Sequence, residues 1–317
     1  MAFPIEEKLV IAIASSSVLT LDGARDAFRE KGLEAYRAYQ REHQHCILEK
    51  GPAFSFVKRL LDFNRIFPER MPVEVILLSH NDSDTGLRIM NSLNHYGLDV
   101  IRAAFITDDS PYRYLDAYNA SLFLSGNSRD VEEAIDHGYA AGRVLPSTLN
   151  DAPDDEELRV AFDFDGVLAD SSGEEVFQNR GLDGFHKNEY EKRLQPCPPG
   201  PLADLFRKLA LLRDLESERQ ALDPAYKRRI SLSIVTARSV PAHERVVSTL
   251  REWNVTVDRT FFLGGVNKGR ILRTLRPHIF FDDQLTPHLD AAKDFTPSVH
   301  IPFGIIRKLN ACKKEIF

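Results

Sequence analysis

The sequence predicts an α/β protein built on parallel sheet, organised as two tandem halves. Short β-branched and apolar runs alternate with longer stretches of helical periodicity, the pattern of strands joined by crossover helices. An acidic, proline-containing segment without apolar periodicity, DAPDDEE at 151–157, reads as a linker and divides the chain nearly in half. The halves also repeat: VEVILLSHN at 73–81 lies over ISLSIVTAR at 230–238.

Strands are expected at 8–14, 73–79, 101–106, 121–125, 159–164, 230–236, 259–263 and 278–282. Between them lie helices such as Asp84 to His95 and Pro241 to Trp253. Ser239 is a candidate cap for the second, with Pro241 in its first turn. The repeat sets Ser79 against Thr236, a register of 157 residues, and continues without a gap. It pairs Arg102 with Arg259, Phe105 with Phe262, Leu115 with Leu272, and LFLSGN at 122–127 with IFFDDQ at 279–284. Upstream the register is 149, pairing Gly51-Pro52 with Gly200-Pro201 and Gly32-Leu33 with Gly181-Leu182. The difference of eight implies an insertion around 214–226 in the second half. Under the 149 register AIASSSVL at 12–19 falls on AFDFDGVL at 161–168. Each half, 1–150 and 151–317, then reads as one copy of the same α/β unit.

Composition narrows the function. A chain of 317 residues with 43% hydrophobic and 28% charged residues is globular. A net charge of −6 gives no global attraction to a nucleic acid polymer. LVIAIA at 9–14 is too short for a signal sequence or a membrane span, so a soluble, cytoplasmic protein is expected. Cys46, Cys197 and Cys312 have no CxxC spacing and are read as reduced thiols. Oligomeric state stays open.

The chemistry concentrates in RVAFDFDGVLADSSG at 159–173. A parallel strand delivers its C-terminal residues to the crevice where open α/β sheets bind ligands. Asp163 and Asp165, one residue apart, share a face there, and Gly166 lets the chain turn away closely. A turn needs one Asp before Gly. Two acids together call for a divalent cation or a split of protonation roles. Three further segments add to the set. LSIVTAR ends a strand in the hydroxyl of Thr236, followed by Ala237 and Arg238. GGVNKGR places Asn267 and Lys268 in a glycine-bearing loop before a helix, where an ammonium offsets phosphoryl charge. IFFDDQ ends a strand in Asp282 and Asp283, oxygen donors suited to Mg²⁺. Gly166, Ala237, Arg238 and Asn267 are candidate substrate-binding positions.

Taken in order, these motifs resemble the haloacid dehalogenase superfamily over roughly 159–290. The resemblance implies a Rossmannoid parallel sheet with a small helical cap, inserted at about 170–230. It implies Asp163 as a nucleophile that forms an aspartyl-phosphate, and Asp165 as the acid for the leaving oxygen and then the base for water. Thr236 would bind the phosphoryl group and Lys268 would hold it against Asp163. Asp163, the backbone carbonyl of Asp165 and Asp282, with or without Asp283, are the implied Mg²⁺ ligands; which of Asp282 and Asp283 binds directly stays open. Dehalogenases of the superfamily lack the second acid, so its presence points to phosphoryl transfer.

In the first half Asp163 is matched by Ala14, Asp165 by Ser16, Lys268 by Pro111, Asp282 by Ser125 and Asp283 by Gly126. That half cannot run the same chemistry and reads as a degenerate copy. SHNDSDTGLR at 79–88, with Ser79 and Asn81, is a candidate contact for substrate or an effector; the competing reading is a helix cap. GPAFSFVKRLLDFN at 51–64, VILLSHNDSDTGLRIMNSL at 75–93 and YLDAYNASLFLSGN at 114–127, followed by the DFDGV half, resemble the cytosolic 5'-nucleotidase type I family, and the spelling looks bacterial. The resemblance implies hydrolysis of nucleoside 5'-monophosphates, with AMP or IMP expected. Phe177, Phe185 and Tyr190 in the cap could stack on a base, with Asn179 and Arg180 as polar partners. A phosphatase of sugar phosphates and a non-catalytic nucleotide sensor remain alternatives. His243, His288 and His300 default to surface or core roles.

Overall fold

The computed structural model describes residues 5–21, 24–147, 149, 152, 154–305 and 307. The chain divides into two units, Met1–Thr148 and Leu149–Phe317.

The first unit runs β1 (Leu9–Ile13), α1 (Ser15–Val18), β2 (Leu19–Thr20), α2 (Ala24–Glu42), β3 (Glu49–Lys50), α3 (Phe54–Ile66), β4 (Val73–Ser79) and α4 (Ser83–His95). It continues through β5 (Arg102–Phe105), β6 (Leu122–Ser125), α5 (Ser128–Asp136) and β7 (Ala141–Val144). Its sheet has the order β5-β4-β1-β6-β7, with every pair parallel. β2 and β3 form a separate antiparallel pair. LVIAI in β1 and VEVILLS in β4 are buried at every position, as strands covered by helices on both faces must be.

The second unit runs β8 (Leu158–Phe162), α6 (Ser172–Glu191), α7 (Ala203–Leu222), β9 (Ile230–Thr236), α8 (His243–Glu252), β10 (Arg259–Phe262), α9 (Lys268–Leu275), β11 (Ile279–Asp282), α10 (Asp290–Ala292) and β12 (Ser298–His300). Its order is β10-β9-β8-β11-β12, again parallel throughout. Numbered in chain order within each five-stranded set, both orders read third, second, first, fourth, fifth.

The two registers of the sequence repeat recur in the element limits. β1 and β8 begin and end 149 residues apart, while β4 and β9, β5 and β10, and β6 and β11 do so 157 residues apart. α2 and α6 are each broken by a glycine with positive φ, Gly32 at 80° and Gly181 at 65°. Buried hydrogen bonds repeat as well. Ser92 Oγ accepts from Leu48 N at 3.1 Å, and Thr249 Oγ1 accepts from Cys197 N at 2.9 Å. α7 has 20 residues and α3 has 13, so the change of register falls in a lengthened helix.

Several expectations need correction. β7 and β12 were not expected, because runs of four and three residues carry little periodicity. β8 ends at Phe162 rather than 164, although Asp163 N still donates to Phe281 O at 2.8 Å. α8 starts at His243 with Ala242 before it and no side-chain cap; Ser239 Oγ instead pairs with His186 Nε2 at 3.0 Å. The stretch 170–230 holds α6 and α7, and α7 packs Phe206 edge-on against Phe162 of β8 at 5.2 Å. Cys46 and Cys197 are free thiols, and Cys312 lies outside the described residues. Among the described residues no helix is long and apolar enough to cross a membrane.

Candidate active site

Within the second unit the strand ends converge. Asp163 follows β8, Thr236 closes β9, Asp282 closes β11, and Lys268 opens α9. Lys268 starts its helix because Asn267 caps it, accepting from Gly269 N at 2.8 Å through its side chain. That turn places the Lys268 Nζ 2.8 Å from Asp163 Oδ2 and 2.7 Å from Asp282 Oδ2, with the lysine side chain only 1% exposed. Phe164 N donates to Asp163 Oδ1 at 2.7 Å, and His288 Nδ1 lies 3.0 Å from Asp282 Oδ1.

Electrostatics follow from burial. Burial pushes the Asp163 carboxyl up to about 6, opposed by Lys268 and reinforced by Asp282. Burial also pushes Asp282 up, but Lys268 and His288 outweigh it and hold the group below the ordinary aspartate range. Lys268 is driven down by burial and further up by Asp163 and Asp282, so it stays charged. Asp283 is raised well above its usual value by burial, then by Asp282 and Asp163. Its Oδ1 is buried without a hydrogen-bond partner.

Two buried acids thus pair with one ammonium, and a third, Asp283, is buried beside them without a cation of its own. The excess of acids over cations and the orphaned oxygen fit a divalent cation, and carboxylate oxygens are the donors a hard cation takes. Oxygen or nitrogen atoms of Asp163, Asp282 and His288 lie within 4.8 Å of one another. Gly166 is required beside them. Its φ is 72°, and a Cβ there would stand 2.5 Å from Asp283 Oδ2.

Asp165 is held apart from this cluster. Arg238 donates to it from two nitrogens, Nε to Oδ2 and Nη2 to Oδ1, each at 2.7 Å. Arg238 Nη1 also pairs with Glu189 Oε2, and Arg245 Nη1 lies 2.8 Å from Glu189 Oε1. Burial opposes the charge on Arg238, but Asp165 and Glu189 more than offset it and keep the guanidinium above the ordinary arginine range.

The remaining candidates are placed as follows. Thr236 Oγ1 accepts from Arg238 N at 3.2 Å, with Ala237 between them in the same turn. Phe185 is buried, edge-on to Phe177 at 6.4 Å and 5.3 Å from the Arg238 guanidinium. Asn179 and Tyr190 are exposed. Sequence reasoning missed Glu189, Arg245 and His288 as neighbours of the site. Only His288 offered a signal, six residues beyond Asp282 in the same loop.

In the first unit the corresponding strand ends carry small polar groups. Ser15 Oγ lies 2.9 Å from Ser79 Oγ, and Asn81 Nδ2 donates to both, at 2.9 and 2.7 Å. Gly126 N donates to Ser16 Oγ at 3.1 Å. In the run 79–88, Asp82 caps α4 by accepting from Thr85 N at 2.9 Å, and Arg88 is tied to Cys46 O and Gln40. Much of that run is therefore helix cap and core brace.

A five-stranded parallel unit with acids, a hydroxyl and a lysine on its strand ends is consistent with the haloacid dehalogenase class of α/β proteins. The chain belongs to the 5'-nucleotidase family, whose model matches residues 1–308. It is 34% identical over 293 residues to the human protein cytosolic 5'-nucleotidase 1B, an alignment covering 90% of this chain and 47% of that protein. The chain thus spans about half the length of that curated relative. No solved structure matches it.

Proposed function

We propose that the protein is a Mg²⁺-dependent 5'-nucleotidase that hydrolyses nucleoside 5'-monophosphates, AMP or IMP, to nucleoside and phosphate. The observation that carries this is Lys268, fully buried and ion-paired to both Asp282 and Asp163, with a second acid, Asp165, two positions after Asp163. A binding protein has no need to hold a carboxylate against an ammonium in a dry pocket, whereas a nucleophile must be fixed and kept ionised.

Asp163 attacks phosphorus and forms an Asp163 Oδ–P bond as the bond from phosphorus to the nucleoside 5'-oxygen breaks. Asp165 gives its proton to that oxygen. In the second half-reaction Asp165, now a carboxylate, takes a proton from water while the water oxygen attacks phosphorus and Asp163 is released. Thr236 and Lys268 hold the phosphoryl oxygens. Asp163, Asp282, Asp283 and the Asp165 carbonyl would hold Mg²⁺, which supplies positive charge to the transferring group. Phe185 is positioned in the cap helix to select the base. The first unit, with its matching strand order and lost acids, is a degenerate copy of the second. The human relative's name supports a cytoplasmic location.

The test is phosphate release from a panel of nucleoside monophosphates and sugar phosphates with Mg²⁺, beside Asp163→Asn. Release that favours nucleotides and vanishes in the variant supports the reading. Release from sugar phosphates alone would retain the mechanism and discard the substrate. Tight nucleotide binding without turnover would replace the enzyme with a sensor.

A further inference from the structure

The Arg238–Glu189–Arg245 cluster has no role in the chemistry above, yet it is among the most deeply buried charge groups of the second unit. Side-chain exposure is 2% for Arg238, 0% for Glu189 and 6% for Arg245. Burying three charges is costly unless their geometry repays the lost hydration. Here it is well satisfied. Glu189 Oε1 accepts from Arg245 at 2.8 Å and from Asn188 Nδ2 at 3.0 Å, and Oε2 accepts from Arg238. Arg245 Nε donates to Gln195 O at 3.1 Å. Arg238 spends its two remaining donor directions on both oxygens of Asp165. The chain of contacts therefore starts in α6, the cap helix that carries Glu189, and ends on the second acid.

The first unit contains the same brace without its charges. Arg88 Nη1 donates to Gln40 Oε1 at 3.2 Å, and Arg88 Nε donates to Cys46 O at 2.9 Å. Under the 157 and 149 registers these residues correspond to Arg245, Glu189 and Gln195. Arg238 corresponds to Asn81, and Asp165 to Ser16. The bonds that join the two helices persist in both units. The carboxylate of Glu189 and the guanidinium of Arg238 occur only in the unit that has an acid to hold. The fold accommodates an uncharged glutamine at this place, though its Nε2 is buried without a partner, whereas Glu189 has both oxygens bonded and one of them faces the arginine that holds Asp165.

The cap backbone closes over the same pair. A Cβ on Gly173, in the first turn of α6, would lie 2.9 Å from Asp165 Oδ1 and 3.0 Å from Arg238 Nη2. The first segment of α6, before the break at Gly181, thus closes on the clamp, and the second segment supplies Glu189.

We infer that Glu189 and Arg238 are positioning residues that orient the Asp165 carboxylate from the cap helix, so that acid and base catalysis depends on this buried relay. The inference rests on the phosphatase reading above. A side-on arginine occupies one lone pair on each carboxylate oxygen and leaves the others free for a proton in flight. Glu189 keeps Arg238 from turning away, because its second nitrogen row is fixed on the cap side.

The experiment compares wild type, Glu189→Gln, Glu189→Asp, Arg238→Lys and Asp165→Asn on a nucleoside monophosphate and on 4-nitrophenyl phosphate. Glu189→Gln reproduces the composition found at Gln40, so it is compatible with the fold; Arg238→Lys keeps charge but loses the two-point hold. With the nucleotide, kcat is expected to fall at least about 10-fold in both, up to the ~10²- to 10⁴-fold that acid–base assistance contributes in full, while KM stays nearly constant. 4-Nitrophenolate leaves without a proton, so Asp163 is still phosphorylated, but hydrolysis of the phosphoenzyme lacks an aimed base. The expected signature is a burst of about one nitrophenolate per enzyme followed by slow turnover, matching Asp165→Asn. Glu189→Asp, which keeps the charge, should recover part of kcat.

A lowered kcat without the burst, while Asp165→Asn retains it, would overturn the relay and leave a structural brace. A change confined to KM would assign Arg238 to substrate binding instead and also overturn it. No burst in Asp165→Asn, or a wild type inert toward both esters, would overturn the phosphatase reading itself and the relay with it.

Discussion

Replacing Lys268 by methionine removes the ammonium between Asp163 and Asp282 and keeps most of the side-chain volume. Both carboxylates then lose a partner at 2.8 and 2.7 Å in a site where none of the three side chains is more than 5% exposed. Removing one member of a buried ion pair costs about 3–5 kcal/mol, because the charge left behind is neither hydrated nor paired. Part of that loss has an outlet. Asp163, already raised to about 6 by burial, can take up a proton near neutral pH at a cost of about 1.4 kcal/mol per pH unit. The expected loss for metal-free protein is therefore about 3 kcal/mol, read from urea unfolding in EDTA as a lower midpoint with an unchanged slope. Mg²⁺ should return about 2.7 kcal/mol at a hundredfold excess over its dissociation constant, since the cation relieves the same carboxylates. Activity should fall about 10²- to 10³-fold, the usual cost of one preorganised electrostatic group. A metal-free variant within about 1 kcal/mol of wild type would show that the pair is not a stabilising element. Activity within a few-fold of wild type would remove Lys268 from the phosphoryl site.

Gly166→Ala places a methyl group in a backbone conformation with φ of 72° and 2.5 Å from Asp283 Oδ2; it should cost about 1–2 kcal/mol in calorimetry from backbone strain alone, and weaken Mg²⁺ binding by displacing Asp283. Asp283→Asn removes a carboxylate whose buried oxygen has no partner; the metal-free melting temperature should rise while the Mg²⁺ titration midpoint moves to higher concentration. Glu216→Ala deletes a fully buried carboxylate that accepts from Tyr226 Oη and Arg229 N at 2.6 Å and from Ile230 N at 3.0 Å at the start of β9. About 2–4 kcal/mol of stability should be lost, with turnover at permissive temperature unaffected.

Much of the site was legible before any coordinates, for a physical reason. In a parallel sheet ligand-binding groups sit where apolar runs stop, so Asp163, Thr236 and Asp282 announce themselves as candidates, polar residues closing hydrophobic strings. Lys268 was legible through the glycines and Asn267 that precede its helix. Glu189 was not, because a glutamate in a helix with weak apolar periodicity looks solvated until its partners, 49 and 56 residues away, fold against it. Arg238 was read as a substrate ligand, since a cation after a strand invites that reading; its hold on Asp165 depends on where β8 and β9 lie side by side.

The sequence alone determined the parallel α/β class, the internal repeat with its two registers, and the order of acid, hydroxyl, lysine and acid. These are local or periodic properties, written in residues near one another in the chain. The tertiary structure alone decided which acid meets Lys268, which is clamped by Arg238, that Asp283 keeps an unpartnered oxygen, and that Glu189 joins the cap to the site. Such pairings depend on distances across the sheet and on the loss of water around each charge, and neither quantity exists until the strands are aligned and buried.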